Sequence, residues 1–266
     1  MIMVILITGI SSGFGEAMAR RLSADGHKVY GTCRRDVEKI PGVTYLKADV
    51  QDEQDCKAAV DAVMEAEGRI DVFINNAGMG IGGPLEFSSL ESARQQMDVN
   101  WMGMVRMLHF VVPVMREQRA GRIICFSSIG GVMGLPFQGL YCASKFAIEG
   151  YCKALRLELR SFGIDVVVIR PGDFATSFTA SRRKVADPQA YEVYSSYARS
   201  LAEIENDEQS GLKPDYLAAK ISKIVKCRRP KYSYVVATFV QYLSTVLNVI
   251  LPERLYASLL GMYYKL

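Results

Sequence analysis

Short, uninterrupted apolar runs alternate along this chain with longer segments of helical periodicity. Runs such as VFIN (72–75), IICF (123–126) and VVVI (166–169) lack a two-residue alternation. This pattern is typical of strands covered on both faces, as in a parallel sheet. The order of strand, helix and strand repeats as far as residue 170. It therefore predicts a Rossmann-like, doubly wound α/β sheet with right-handed crossovers.

The periodicity also predicts where the elements lie. The predicted strands cover residues 2–8, 27–33, 43–47, 70–75, 122–127, 164–170 and 234–237. The predicted helices cover 13–24, 52–67, 140–161 and 214–226, with one long or broken helix over 88–116. Residues 173–213, here called the lid segment, are mostly polar, and we expect a lid-like insertion with one or two helices. No repeat or linker occurs, so we expect one domain over 1–266, with a C-terminal tail from about residue 238.

Composition excludes several kinds of function. The chain has 32 basic and 28 acidic side chains and no long basic run, which argues against a nucleic-acid partner. Its two histidines, His27 and His109, exclude a site with three histidine ligands, and we expect no metal. Six cysteines without a CxxC pair argue against a zinc cage or a disulfide framework, and they predict a reducing, cytoplasmic location.

The two ends of the chain bear on targeting and on membranes. The apolar N-terminus lacks a basic region and a cleavage site, so a buried strand is expected rather than a signal peptide. Residues 234–251 carry no charge, but polar side chains interrupt them. We expect a strand and then a core or lid helix there. A peripheral membrane contact through the C-terminal helices stays open as the alternative.

A glycine-rich turn, TGISSGFG at 8–15, directly follows the first predicted strand. Glycines allow a tight turn and a close backbone approach to a pyrophosphate, and the following helix points free N–H groups at such an anion. An ordinary turn with a serine cap is the alternative. The position between the first strand and the first helix favours a dinucleotide site. The turn residues assigned to it are Gly9, Ser11, Ser12, Gly13, Phe14 and Gly15.

The end of the second predicted strand discriminates between dinucleotides. An acidic residue there would bind the free ribose 2′-hydroxyl of NAD(H). Cys33 occupies that position instead, and Arg34 and Arg35 follow it. Because a guanidinium group binds phosphate well, these residues predict NADP(H). Asp36 is close enough that NAD(H) remains possible.

A tyrosine and a lysine occur four residues apart in the predicted helix over 140–161. Tyr141 and Lys145 therefore share one helical face. A phenol has a pKa of about 10, and a nearby ammonium group lowers it. The pair can thus exchange protons without histidine, although taken alone such a pair is more often a surface pair.

Together these motifs resemble the short-chain dehydrogenase/reductase family. They occur in the family's order over about residues 1–176, and Ser128 lies 13 residues before Tyr141, as the family's pattern requires. The matching elements are TGISSGFG, Asp49-Val50, NNAG at 75–78, Asn100, Ser128, YCASK at 141–145, and Pro171-Gly172 with Thr176.

The resemblance implies a role for each matching residue. Tyr141 would exchange a proton with the substrate oxygen, Lys145 would hold the nicotinamide ribose and lower the Tyr141 pKa, and Ser128 would hydrogen-bond the substrate oxygen. Asn100 would hold a water that links Lys145 to solvent. Adenine contacts would come from Asp49 and Val50. The remaining cofactor contacts would come from Asn76, Ala77, Gly78, Pro171, Gly172 and Thr176.

The implied function is an NADP(H)-dependent oxidoreductase that transfers hydride between a nicotinamide and a carbonyl or secondary alcohol. VYGTCRR (29–35) and the apolar tail are similar to the corresponding segments of members that act on retinoids or steroids. Apolar side chains around the expected substrate site favour an apolar substrate, with core or subunit contacts as the alternative. The candidate walls are residues 130–138, which include Leu135, and residues 174–179, with Tyr191, Tyr194, Tyr197, Tyr242 and Met262 from the lid segment and tail.

Three further points follow from the resemblance. Family members pack as dimers or tetramers, so we expect a homodimer or homotetramer through the helices over 88–116 and 140–161. One alternative function is a non-catalytic NADP(H)-sensing module that binds a protein partner, against which the intact Tyr-Lys-Ser-Asn set argues. The other is an NAD-dependent alcohol dehydrogenase.

Overall fold

A seven-stranded parallel sheet forms the centre of the computed structural model, which describes residues 2–266. Its strands are β1 (Val4–Thr8), β2 (Lys28–Cys33), β3 (Val43–Lys47), β4 (Val72–Asn75), β6 (Gly121–Phe126), β7 (Ile164–Pro171) and β9 (Ser233–Val236). Two short strands, β5 (Ile81–Gly82) and β8 (Arg183–Lys184), pair separately. The sheet order β3-β2-β1-β4-β6-β7-β9 confirms the predicted doubly wound α/β fold.

Apolar strand residues are buried on both sheet faces, as their unbroken apolar runs predict. Ile7 in β1 lies opposite Gly31 on one side and Ile74 on the other, which brings the carboxyl ends of these strands level. One face packs against α2 (Glu53–Glu67), α4 (Gly103–Gln118) and α5 (Gly139–Leu159). The other packs against α1 (Gly13–Ala24) and α9 (Pro214–Lys226).

The helix predicted over 88–116 is broken. It consists of α3 (Leu90–Met97), a π-helical turn (Asp98–Met102) and α4. An ion pair of 2.6 Å joins Arg106 to Asp98 at this turn. A π-turn is a frequent feature of functional sites, and this one contains Asn100.

The lid segment holds three helices, so the prediction of one or two is wrong. They are α6 (Ser177–Ser181), α7 (Gln189–Val193) and α8 (Tyr197–Gln209). The first two span five residues each, which is too short for a helical period to stand out in the sequence. Their starts depend on local chemistry: Thr176 accepts a hydrogen bond from the Phe178 N–H, and Pro188 precedes α7.

The C-terminal tail forms a helical hairpin of α10 (Phe239–Ile250) and α11 (Glu253–Tyr263). No residue of α10 is buried, so the core-helix option is wrong. Inner side chains of the hairpin, among them Tyr256, pack on residues 129–135, and Asn248 donates to the Val132 carbonyl over 2.8 Å. Within residues 2–266, every helix is too short or too polar to cross a membrane.

Candidate active site

A cleft of about 520 Å³ lies at the carboxyl ends of the strands, where ligands bind in doubly wound sheets. Two predicted site residues, Gly15 and Asn100, do not line it. The predicted residues that do line it are Gly9, Ser11, Ser12, Gly13, Phe14, Arg34, Arg35, Asp49, Val50, Asn76, Ala77, Gly78, Ser128, Tyr141, Lys145, Pro171, Gly172 and Thr176.

The glycine turn between β1 and α1 forms one end of the cleft. Gly9 has a φ of 73°, and a Cβ atom there would lie 2.9 Å from the Ala77 Cα. A Cβ atom on Gly15 would overlap the Gly9 carbonyl oxygen, so Gly15 acts through backbone packing. The Asn76 side-chain amide donates to the Thr8 and Gly9 carbonyls over 2.9 and 3.0 Å. The turn is thereby held against β4.

The N-terminus of α1 opens onto this turn. Ser12 occupies the N-cap position, but its side chain makes no capping hydrogen bond. This disfavours the alternative of an ordinary serine-capped turn, because the first amides of the helix keep no side-chain partner. The close-packed glycines and the free amides together fit the pyrophosphate of a dinucleotide.

The ends of β2 and β3 form the side of the cleft where the adenosine part would lie. Cys33 is buried at the end of β2, and the exposed Arg34 and Arg35 follow it. Arg34 Nη1 lies 3.5 Å from the Asp49 carboxylate. Asp49 is held in place because its other oxygen accepts the Gln51 N–H over 3.1 Å. Two guanidinium groups therefore stand at this margin of the cleft.

The other end of the cleft brings Tyr141, Lys145 and Ser128 together. Lys145 Nζ lies 5.6 Å from the centre of the Tyr141 ring and donates to the Phe126 carbonyl over 2.9 Å. Burial lowers the pKa of Lys145 to about 8. Ser128 follows β6 and accepts the Gly130 N–H over 3.1 Å, which fixes its hydroxyl beside Tyr141.

Burial raises the pKa of the Tyr141 hydroxyl, and a hydrogen bond with Ser128 lowers it. Among the charged groups nearby, Glu208 raises this pKa and Arg182 lowers it. Lys145 is not among the groups that set it. The predicted lowering of the Tyr141 pKa by Lys145 therefore stays a prediction, while burial dominates here.

Asn100 lies behind the cleft and is fully hydrogen-bonded. Its amide oxygen accepts the Met79 N–H over 2.8 Å, and its nitrogen donates to the Met79 carbonyl and to the Ser144 hydroxyl, each over 3.0 Å. Met79 lines the cleft, and Ser144 immediately precedes Lys145. Asn100 is thus a positioning residue that links the loop after β4 to α5, and its predicted water stays a prediction.

Among the cleft residues that the sequence reasoning did not name as site residues are Asp173, Asp207, Glu208 and Tyr264. Asp173 directly follows Pro171-Gly172. Ile204, Asp207 and Glu208 occupy positions i, i+3 and i+4 of α8, so they share the face that lines the cleft. That spacing is a signal that the sequence carries. No local signal brings Tyr264 to the site, because its place depends on how the tail packs.

A family model described as short chain dehydrogenase matches residues 3–187. The chain belongs to the short-chain dehydrogenase family. This membership agrees with the sheet order, the glycine turn and the Tyr-Lys-Ser group, and it makes the chain an oxidoreductase of a family that binds NAD(P).

This short-chain dehydrogenase is similar to two curated relatives and to one solved structure. A 3-ketodihydrosphingosine reductase from Bacteroides thetaiotaomicron is 46% identical over 99% of this chain and 98% of its own. The 17-beta-hydroxysteroid dehydrogenase type 1 from Mus musculus is 38% identical over 77% of this chain and 67% of its own. A Burkholderia phymatum short-chain dehydrogenase/reductase solved in complex with NAD has a TM-score of 0.79 at 25% identity, covering 95% and 93% of the two chains.

Five of the side chains suggested as pocket walls lie outside the cleft in this short-chain dehydrogenase. None of Tyr191, Tyr194, Tyr197, Tyr242 and Met262 lines the cleft. Tyr197 packs on Phe137, with ring centres 4.9 Å apart, and on Tyr191 at 4.7 Å. Tyr242 and Met262 are exposed on the hairpin. Lid aromatics therefore stabilise the lid. The apolar lining includes Leu135 and Phe178, from the expected wall segments 130–138 and 174–179, together with Ile129 and Ile204.

Proposed function

We propose that this short-chain dehydrogenase is an NADP(H)-dependent reductase of ketones. The observation that carries the proposal is the placing of Tyr141, Ser128 and Lys145 in the same cleft as the glycine turn. This arrangement puts proton donors beside the position that a carbonyl would take next to a nicotinamide. A non-catalytic sensing module would not require three such side chains at the far end of the cleft from the turn.

The substrate class follows from the relatives and the lining. The relative that shares 46% of its residues over nearly the whole chain is named for 3-ketodihydrosphingosine, a long-chain ketone with an amine on the carbon beside the carbonyl. Apolar and polar side chains both line the cleft, as such an amphipathic ketone requires. We therefore propose a long-chain amino ketone. A steroid ketone is the second candidate, on the likeness to the mouse enzyme.

The chain's own residues would act on the carbonyl oxygen. When bound, the cofactor supplies a hydride for the carbonyl carbon. The Ser128 hydroxyl donates to the carbonyl oxygen and stabilises its developing negative charge. The Tyr141 hydroxyl gives its proton to that oxygen, which completes the alcohol. Lys145 supplies a positive charge beside the Tyr141 ring and holds the hydroxyls of the nicotinamide ribose. Asn100 holds α5 and the loop after β4 in place through its hydrogen bonds to Ser144 and Met79.

Several finer points join this proposal. We infer a single domain over 1–266 in which the lid segment closes over the substrate. A homodimer or homotetramer is supported by exposed apolar side chains on α5, such as Phe146 and Leu157. A peripheral membrane contact is supported by exposed Phe239, Val249 and Ile250 on α10, and a cytoplasmic location by the free cysteines.

The first prediction concerns the cofactor. Arg34→Asp should weaken NADPH binding relative to NADH by about tenfold or more, because it removes a guanidinium from the 2′-phosphate and adds a repelling carboxylate. The dissociation constants of both cofactors, from fluorescence titration, measure this ratio.

The matched control is Arg20→Asp. Arg20 is an exposed arginine of α1 that pairs with Glu16 at 3.0 Å and does not line the cleft. The control variant should keep the wild-type ratio of the two dissociation constants. If Arg34→Asp kept it too, the assignment of the 2′-phosphate site to Arg34 would be wrong.

The experiment that tests the proposed function is a ketone panel with the full chain. Long-chain amino ketones, their deaminated analogues, steroid ketones and short aliphatic ketones are each incubated with NADPH, and the loss of reduced cofactor is followed. We expect turnover of a ketone in the panel, with long-chain amino ketones having the highest kcat/KM. Tight NADPH binding with no turnover of any ketone would favour the sensing module instead.

A further inference from the structure

The substrate end of the cleft carries an unusual concentration of carboxylates. Asp173, Asp207 and Glu208 all line it, next to Tyr264. We propose that Asp173 and Asp207 bind the ammonium group of an amino ketone, so that the cleft selects cationic over neutral ketones. This inference rests on the proposed function and specifies which residues would determine its substrate class.

Ion pairing divides the three carboxylates into two kinds. Glu208 is buried, accepts the Thr179 hydroxyl over 2.7 Å and pairs with the buried Arg182. Its charge is therefore already compensated. Within residues 2–266, no lysine or arginine pairs with Asp173 or Asp207.

The two other carboxylates have neutral partners only. Asp173 accepts a hydrogen bond from the Gln241 side-chain amide. Asp207 accepts the Tyr263 hydroxyl over 2.7 Å. Neither carboxyl group therefore has a cationic partner within ion-pair distance in the part of the cleft that the structure describes. A protonated amine of the substrate would supply that cation.

A second, independent observation is the unused hydroxyl of Tyr264. This residue is about nine-tenths buried, with 9% of its surface exposed, and it lines the same cleft. Burial raises the pKa of its hydroxyl, and the nearby charges of Asp173 and Asp207 raise it further. Its hydroxyl makes no hydrogen bond to the part of the chain that the structure describes, whereas its carbonyl accepts from Ser200. The hydroxyl is therefore free to donate to, or accept from, a polar ligand atom in the cleft.

The titration of Asp173 agrees with this placement. Burial, and then the charges of Glu208 and Asp207, raise its pKa to about 7, whereas Arg182 and the hydrogen bond from Gln241 lower it, so Asp173 is only partly ionised at neutral pH. A cation bound between the carboxylates would relieve the same repulsion.

The carboxylates also lie at the end of the cleft where an amine next to the reacting carbonyl would be bound. Glu208 and Arg182 are near enough to Tyr141 to shift the pKa of its hydroxyl. Asp207 is adjacent to Glu208 in α8. In an α-amino ketone the nitrogen is one carbon away from the carbonyl carbon. An amino ketone whose carbonyl oxygen lies at Tyr141 and Ser128 would therefore have its ammonium in the same cleft as these carboxylates.

The alternative role for Asp173 and Asp207 is structural. Their bonds to Gln241 and Tyr263 tie β7 and the lid segment to the C-terminal hairpin. A purely structural role predicts that neutralising them changes stability without changing which ligands are preferred.

The test compares an amine with a neutral ligand of the same shape. A long-chain primary alkylamine and the matching alcohol are titrated into the NADP⁺-saturated full chain by calorimetry. The amine should bind at least about tenfold more tightly than the alcohol, the value expected for a charge-assisted hydrogen bond. Asp207→Asn, and separately Asp173→Asn, should reduce that preference at least about fivefold.

The matched control is Glu205→Gln, also on α8. Glu205 pairs with Lys184 at 2.6 Å and does not line the cleft, so this variant should keep the wild-type preference. Retained NADPH binding and a cooperative melt establish that each variant is folded. If amine and alcohol bound alike, or if both Asn variants kept the preference, the ammonium site would be refuted.

A kinetic arm separates this inference from the proposed function. The ratio of kcat/KM between an α-amino ketone and its deaminated analogue should fall at least about fivefold in Asp207→Asn. Turnover of both ketones with a ratio near one would overturn the ammonium site and leave the reductase proposal intact. Amine-selective binding without turnover of either ketone would support the ammonium site and contradict the proposed reaction.

Discussion

Replacing Tyr141 with phenylalanine should lower kcat for ketone reduction by about 10²–10⁴-fold, the usual contribution of a general acid. The change removes only the hydroxyl that gives its proton to the substrate oxygen. The ring, which packs on Phe178 with centres 5.7 Å apart, stays in place. NADPH affinity should therefore change little, and steady-state kinetics beside a cofactor titration separates the two effects.

Tyr30→Phe is the matched control for this loss. The Tyr30 hydroxyl bonds to Glu67 over 2.8 Å, and the residue does not line the cleft. Its removal should leave kcat within about twofold of wild type, because the buried Tyr30 lies outside the cleft and the change removes only its hydrogen bond to Glu67. Full turnover by Tyr141→Phe would show that another group protonates the substrate, and it would remove the basis of the proposed mechanism.

Lys145→Met should likewise abolish most turnover, yet it should stabilise the protein without cofactor. Folding buries the Lys145 ammonium and lowers its pKa to about 8, from about 10.4 in an unfolded chain. The cost of that burial is fully present below pH 8. It disappears as the pH rises toward about 10.4, since the unfolded chain then binds more protons than the folded one. Methionine carries no such cost.

The melting temperature of the cofactor-free variant should therefore exceed that of wild type by about 2–4 °C at pH 7, which corresponds to about 1 kcal/mol in a chain of this size. The gain should shrink above pH 9. Lys153→Met, at an exposed position of the same helix, should leave kcat, the melting temperature and the pH dependence of that temperature unchanged. A lower melting temperature for Lys145→Met at every pH would show that the lysine stabilises the fold.

Local pattern predicted the sheet well and the helices only in part. VFIN and VVVI became buried parallel strands because their unbroken apolar character has one common structural solution. The break at Asp98–Met102 has no clear signal in the local sequence, because Asn100 in this turn bonds to Met79, 21 residues away. The short helices α6 and α7 carry too few residues for a periodic signal.

The candidate site, like the fold, could be predicted only where local sequence pattern determines it. Glycine, tyrosine and lysine spacing located both ends of the cleft, because those residues act through local geometry. Gly15 and Asn100 turned out to support the cleft from behind rather than line it. Tyr264 came to it through the packing of the tail, which no local pattern encodes. Asp207 could have been found from the sequence, because it lies three residues after Ile204 on the same face of α8.

The most direct test of the central claim is product analysis of a single reaction. The full chain is incubated with NADPH and a long-chain α-amino ketone, and the oxidised cofactor and the lipid product are both quantified by mass spectrometry. We predict one molecule of the corresponding amino alcohol for each NADPH oxidised, and loss of this product with Tyr141→Phe. Recovery of unchanged ketone from a wild-type protein that binds NADPH would contradict the account.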